Sequence, residues 1–238
     1  MKKIIAGNWK MNGDFADIVP FVKYVKKNAK NEENMVICVP AVLIKAFADV
    51  AKKFISTGAE NCYYEQKGAF TGEISPNMIK SAGATYCIIG HSERRHILGE
   101  TDEIINKKIK CALSSGLKVI FCVGETLEEK PKFKSIIKTQ ILKGLEDITD
   151  FSNVIVAYEP VWAIGTGKVA TIDDITKVHS YIKMVVNEKF GFDPKILYGG
   201  SVKPSNSAEI LALDDVDGVL IGGASLKAQD FVEIVKSR

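Results

Sequence analysis

Short apolar runs recur along the chain, and each is followed by a longer stretch in which apolar residues return every three or four positions. The runs cover residues 4–6, 35–39, 57–60, 86–89, 119–123, 154–158, 196–198 and 218–221. Most are continuously apolar rather than alternating, the pattern of strands buried on both faces of a parallel sheet. The clearest helical stretch is 172–190, with Ile175, Val178, Ile182, Val185 and Phe190 on one stripe. Thr171-Ile172-Asp173-Asp174 gives it a capping start. A second helix is predicted over 14–30, with Phe15, Ile18, Val22 and Val25 inward, and a third over 102–115, closed by Gly116. Residues 127–147 read as helical after Pro131.

Strand-then-helix repeated in this way predicts an α/β fold, a closed parallel (β/α)8 barrel, with a doubly wound open sheet as its rival. No linker, low-complexity block or shift of composition divides the chain, so residues 1–238 are expected to form one domain.

In a parallel barrel the chemistry sits at the C-terminal ends of the strands. Those ends carry Asn8-Trp9-Lys10, Gly90-His91-Ser92-Glu93, Cys122-Val123-Gly124-Glu125, Glu159, Gly199-Gly200-Ser201 and Gly222-Gly223. Each has an ordinary reading: a solvated Lys10, an Asx-turn Asn8, a loop His91, a surface Glu93–Arg94 pair, glycines for turns. Together they suit one chemistry. A carboxylate can take a proton from carbon. An imidazole can hydrogen-bond a carbonyl as charge develops on it, and a lysine attracts an anion. Backbone N–H groups in glycine turns can hold phosphate. The set points to proton abstraction beside a carbonyl in a small phosphorylated molecule, without a hydride cofactor.

Composition narrows the picture. Lys and Arg number 32 against 29 Asp and Glu, for a net charge of +3, too balanced for a nucleic-acid or membrane-surface protein. The five cysteines (38, 62, 87, 111, 122) form no C-x-x-C pair and read as reduced, mostly buried thiols. Cys122, close to the strand ends, reads as a packed thiol. The three histidines (91, 96, 179) show no metal-ligand spacing, so no metal site is expected. The apolar part of MKKIIAGNWKMN is too short for a signal peptide, and no run approaches the ~20 apolar residues of a membrane span, so a cytoplasmic protein is expected.

One motif competes. Gly165-Thr166-Gly167-Lys168-Val169-Ala170 matches the dinucleotide fingerprint G-x-G-x-x-A. Its context is wrong: it does not open the first turn after a strand, Pro160 and Trp162 intervene, and the acid that follows, Glu188, lies inside a predicted helix.

The blocks AGNWKMN (6–12), GHSERR (90–95), CVGETLEE (122–129), AYEPVWAIGTGK (157–168), YGGSVKP (198–204) and DGVLIGGASL (217–226) resemble the triosephosphate isomerase family, in order and over nearly the whole chain. The resemblance implies a TIM barrel that interconverts dihydroxyacetone phosphate and D-glyceraldehyde 3-phosphate through an enediolate, in glycolysis and gluconeogenesis, with no cofactor. Glu159 would be the base and His91 the neutral electrophile. Lys10 would supply charge and Asn8 a hydrogen bond, with Glu93 supporting Lys10 or His91. Phosphate would rest on the N–H groups of Gly165, Ser201, Gly222 and Gly223. Residues 160–162 and 168–170 would hinge a lid whose tip is 163–167; this family is itself a known example of such gating. A homodimer is implied, with loop 61–73 inserted into the partner and Thr71 beside the partner's site. Tyr63, Tyr64 and Phe70 fit that interface. Two departures stand out. Glu60 replaces the family's commoner glutamine and is expected to need a lysine or arginine partner. The segment after Glu129 is short, so the following helix is expected to start late.

Overall fold

A computed structural model describes residues 2–30, 34–164 and 168–237. Eight strands close into a parallel barrel in sequence order: β1 (Ile4–Asn8), β2 (Asn34–Val39), β3 (Ser56–Ala59), β4 (Tyr86–Ile89), β5 (Lys118–Val123), β6 (Val154–Tyr158), β7 (Lys195–Tyr198) and β8 (Gly218–Ile221). Outside them lie α1 (Phe15–Asn28), α2 (Ile44–Ala51), α3 (Pro76–Ser81), α4 (Ser92–His96), α5 (Asp102–Ser114), α6 (Phe133–Gly144), α7 (Ile172–Phe190), α8 (Pro204–Leu211) and α9 (Ala228–Lys236). Closure rules out the open doubly wound sheet.

The continuous apolar runs have a direct cause. Ala6, Cys38, Ile88, Ile120, Ala157 and Leu220 fill the barrel interior. Their neighbours along the strands, among them Ile5, Ile37, Val119, Phe121 and Val156, pack outward against the helices. Both faces are therefore dry, and polar residues are displaced to the strand ends. Cys122 is buried in the interior, a packed thiol as expected, and the five cysteines form no disulfide.

Local signals set the helix ends. α7 starts at Thr171 with a capping box to Asp174 and stops at Gly191, whose φ is 70°. α1 starts with the reciprocal Asp14 and Asp17 caps. Its inward residues are Ile18, Phe21, Val22 and Val25. Phe15, expected inward, is 64% exposed. It opens the first turn, ahead of the stripe that the helix buries. Phe21 takes its share of the core instead, with its ring centroid 5.2 Å from that of Trp9 and 5.9 Å from that of Phe231. The segment 127–147 is not one helix: a 3-10 turn at Lys130–Lys132 precedes α6, which begins at Phe133, the late start expected after the short segment. Among the described residues no helix is long and apolar enough to cross a membrane.

Candidate active site

The hydrogen-bond ladder runs one residue past several strands and brings their ends into one mouth. Trp9 N–H donates to Cys38 O (3.0 Å), Glu159 N–H to Val123 O (2.8 Å) and Gly199 N–H to Tyr158 O (2.7 Å). Gly124 makes room for this. A Cβ there would lie 1.7 Å from the Glu159 carbonyl oxygen, so only glycine lets the end of β5 pass beside Glu159. Gln140 of α6 holds the same glycine at both polar atoms: Gly124 N–H donates to its Oε1 (2.8 Å) and its Nε2 donates to Gly124 O (3.0 Å).

His91 caps α4. Gly90 before it has φ 76°, a turn that favours glycine. Arg95 pins this turn, donating from Nε to Gly90 O (2.8 Å) and from Nη2 to Cys122 O (3.1 Å), with Nη1 on Asp102 Oδ1 (2.6 Å). The Glu93 backbone N–H donates to His91 Nδ1 at 3.2 Å. Nδ1 is thus an acceptor, which fixes the tautomer and leaves Nε2 with the proton. Nε2 lies 2.9 Å from Glu159 Oε1. The other carboxylate oxygen, Oε2, accepts the Ser92 N–H at 2.8 Å.

Glu159 is 2% exposed and His91 5%. Burial works against the Glu159 carboxylate, but His91, the Ser92 N–H and Lys10 outweigh it and hold its pKa below the usual range. Burial likewise works against charge on His91, while the Glu159 carboxylate favours it and raises the imidazole pKa. Glu93 adds to that rise and Lys10 opposes it.

Lys10 has φ 55°, an uncommon conformation for a lysine. Asn8 sustains it, because Asn8 Oδ1 accepts the Lys10 N–H at 3.0 Å. The ordinary Asx-turn reading of Asn8 is therefore correct, and the turn is what aims Lys10. Lys10 Nζ sits 2.6 Å from Glu93 Oε1. Glu93 Oε2 lies 3.6 Å from His91 Nδ1, so Glu93 stands between the cation and the imidazole.

A cavity of about 600 Å³ is lined by Asn8, Lys10, His91, Glu159, Ser201, Gly222 and Gly223, so most of the predicted site residues meet in one place. Glu93 lines an adjoining recess of about 390 Å³ with Lys10, His91 and Glu60. Thr71 is exposed on its loop, away from this chain's own cavity. Gly165 lies outside the described residues.

Sequence reasoning missed the Ser92 N–H, which no side chain announces, and the wall residues Lys203, Lys227 and Asp230. It also missed the support behind Glu159. Glu125 Oε1 accepts from Tyr158 Oη (3.1 Å) and Trp162 Nε1 (2.9 Å). Burial raises the Glu125 pKa. The dinucleotide reading fails in three dimensions as well. Val161–Ala163 form a 3-10 turn between β6 and the glycines, and Glu188 lies within α7. Glu60 departs from expectation. It has no ion-pair partner among the described residues, and its Oε1 is buried without a hydrogen bond. Burial instead raises its pKa to about 8, with Glu93 adding to the rise and Lys10 opposing it.

A closed parallel barrel with a carboxylate, an imidazole and an ammonium at its C-terminal mouth is the frame of an acid–base barrel enzyme, and comparison with known proteins says which. A family model described as triosephosphate isomerase matches residues 3–238. The chain is 48% identical to the triosephosphate isomerase of Chloroherpeton thalassium, over 99% of this chain and 98% of that protein. It is 45% identical to the enzyme of the same name from Alkaliphilus oremlandii, over 98% of each. The crystal structure of triosephosphate isomerase from Bartonella henselae superimposes with a TM-score of 0.92 at 40% identity, covering 100% of this chain and 99% of that one. The chain belongs to the triosephosphate isomerase family, isomerases that interconvert dihydroxyacetone phosphate and D-glyceraldehyde 3-phosphate.

Proposed function

We propose that Glu159 and His91 carry this interconversion in the present chain. The observation behind the reading is the 2.9 Å contact between His91 Nε2 and Glu159 Oε1, with the Nε2 proton assigned by the Glu93 N–H on Nδ1. A substrate carbonyl oxygen takes over the Nε2–H and frees Glu159 from His91. Glu159 also gives up the Ser92 N–H and faces the carbon beside the carbonyl. It removes a proton from that carbon, charge develops on the oxygen, and the neutral imidazole stabilises it. A neutral histidine in this role is known from this family itself. His91 gives its Nε2 proton to the former carbonyl oxygen and takes the hydroxyl proton in its place, and the protonated Glu159 then returns its own proton to the neighbouring carbon. No metal and no cofactor enters these steps.

Lys10 balances the anionic substrate and its developing charge, and Asn8 aims Lys10 and hydrogen-bonds the substrate. Glu93 holds the Lys10 ammonium until substrate arrives. The N–H groups of Ser201, Gly222 and Gly223, with Gly165, receive the phosphate. One domain serves this chemistry in a cytoplasmic protein acting in glycolysis and gluconeogenesis.

The test is Glu159→Asp in a coupled assay. Shortening the base by one methylene is expected to lower kcat by about 100-fold, while the affinity for a phosphate-bearing enediolate analogue stays within a few-fold. Near-parental kcat removes Glu159 from the role of base.

A homodimer completes the reading. Met11 (97% exposed), Val42, Phe70, Met78, Ile97 and Leu98 leave large apolar side chains in water. In loop 61–73, Tyr63 stacks on Tyr64 with centroids 4.1 Å apart and meets Phe70 at 4.8 Å, which gives the loop a firm apolar body. That loop fits the recess beside Lys10 in a second copy, with Thr71 near the partner's Lys10.

A further inference from the structure

We propose that Lys130 is a positioning residue for the isomerisation, its ammonium tethering the two ends of the connection between Glu159 and α7. The inference rests on the role proposed above for Glu159. Lys130 Nζ lies 3.8 Å from the centroid of the Trp162 ring and 3.2 Å from Asp174 Oδ2. Trp162 stands three residues after Glu159, and Asp174 belongs to the cap of α7. One cation therefore meets both ends of the segment that leaves the base.

The cation is held where it stands. Thr126 N–H donates to Glu129 Oε2 (2.9 Å) and Glu129 N–H to Thr126 Oγ1 (3.4 Å), a reciprocal pair that closes the turn before Lys130. Lys130 N–H donates to Leu127 O (3.3 Å), and Pro131 limits the backbone freedom of the 3-10 turn that follows. This is the segment that the sequence showed to be short: the late start of α6 at Phe133 leaves Lys130 in the turn, over the indole.

Trp162 is 8% exposed and is gripped twice, by Glu125 on its N–H and by Lys130 on its face. Pro160 and Val161, a ring-locked and a β-branched residue, pass that placement to Glu159. An exposed Lys–Asp pair alone would contribute little. The ring face changes that, because a cation over a mostly buried indole is attracted more strongly.

The test compares Lys130→Met, Lys130→Arg and Asp174→Asn in the full chain. Each is assayed for kcat, KM and inorganic phosphate released per turnover. Phosphate release reports water reaching the enediolate, because the charge on that intermediate can expel the adjacent phosphate. Lys130→Met keeps the aliphatic stem without the charge. It is expected to lower kcat/KM about tenfold, mainly through kcat, and to raise phosphate release. Lys130→Arg restores both readouts, since a guanidinium stacks on the ring and pairs with the carboxylate. Asp174→Asn loses the ion pair and is expected to cost about threefold. Unchanged kcat/KM and phosphate release in Lys130→Met overturn the proposal, as does an arginine variant no better than the methionine one. If Lys130→Met does not fold, the other two decide: a parental Asp174→Asn or an impaired Lys130→Arg overturns it. Normal turnover in Glu159→Asp would overturn the assignment of the base; a silent Lys130→Met beside a slow Glu159→Asp overturns the tether alone.

Discussion

At the scale of single residues, Glu60 and His179 show how this chain tolerates buried titratable groups. Burial raises the Glu60 pKa from 4.5 to about 8 and lowers the His179 pKa from 6.5 to about 4. The signs follow from linkage. The folded state favours protonated Glu60, so this group's contribution is complete below pH 4.5 and is lost as pH rises to about 8. The folded state favours neutral His179, so its contribution is present above pH 6.5 and is lost as pH falls to about 4. Where the windows overlap, the slopes oppose each other. Of these two groups only Glu60 still contributes a slope above pH 6.5, at most about 1.4 kcal/mol per pH unit. Part of that slope is lost to solvent screening at this half-buried site. Glu60→Gln is therefore expected to raise the melting temperature at pH 8 and to leave less change at pH 5, where the acid is already protonated. An equal shift at both pH values would show that ionisation of Glu60 is not what costs stability.

This residue also shows where reading a sequence stops. Its replacement of a commoner glutamine is visible in the letters, and a cationic partner was the natural expectation. The cation that acts on it, Lys10, is already committed to Glu93 at 2.6 Å. That competition exists only in three dimensions, and protonation is the alternative to pairing. Glu159, His91 and Lys10 were legible because each ends an apolar run, where packing gives no reason for a polar group. The Ser92 N–H was not, because it acts through the backbone.

At the scale of elements, the eight strands were legible because a barrel strand buried on both faces leaves an uninterrupted apolar run. α7 was legible from its capping box and its stripe. The five-residue α4, which carries the electrostatics of the site, was not predicted. A single turn of helix has no hydrophobic period, and its sequence, SERRH, shows only charge. The run 57–60 overshot by one residue, since β3 ends at Ala59 and Glu60 leaves the ladder toward Lys10. Phe15 misled for the opposite reason: its spacing fits the stripe of α1, but periodicity does not record where a helix meets its neighbours.

At the scale of the whole molecule, the closed barrel fixes which residues can meet. Chemistry from β1, β4 and β6 converges only because the sheet returns on itself, through the β1–β8 pairing that opposes Gly7 and Ile221. The exposed apolar side chains Met11 and Leu98 line the Lys10 recess, and the homodimer proposed above would cover them. Sedimentation is expected to give a species of twice the chain's mass at assay concentration. A species of one chain's mass with full activity would contradict the dimer.

The central claim is that Glu159 moves a proton between two carbons, and isotope transfer tests it most directly. Dihydroxyacetone phosphate is converted in D2O with a coupling enzyme that traps the aldehyde, and the trapped product is read by proton NMR. A carboxylic acid exchanges with solvent, so the account predicts deuterium at the former carbonyl carbon, and a collapse of turnover in Glu159→Gln. Product that keeps its original hydrogen throughout, formed at full rate, would mean direct transfer between the carbons and would contradict the account.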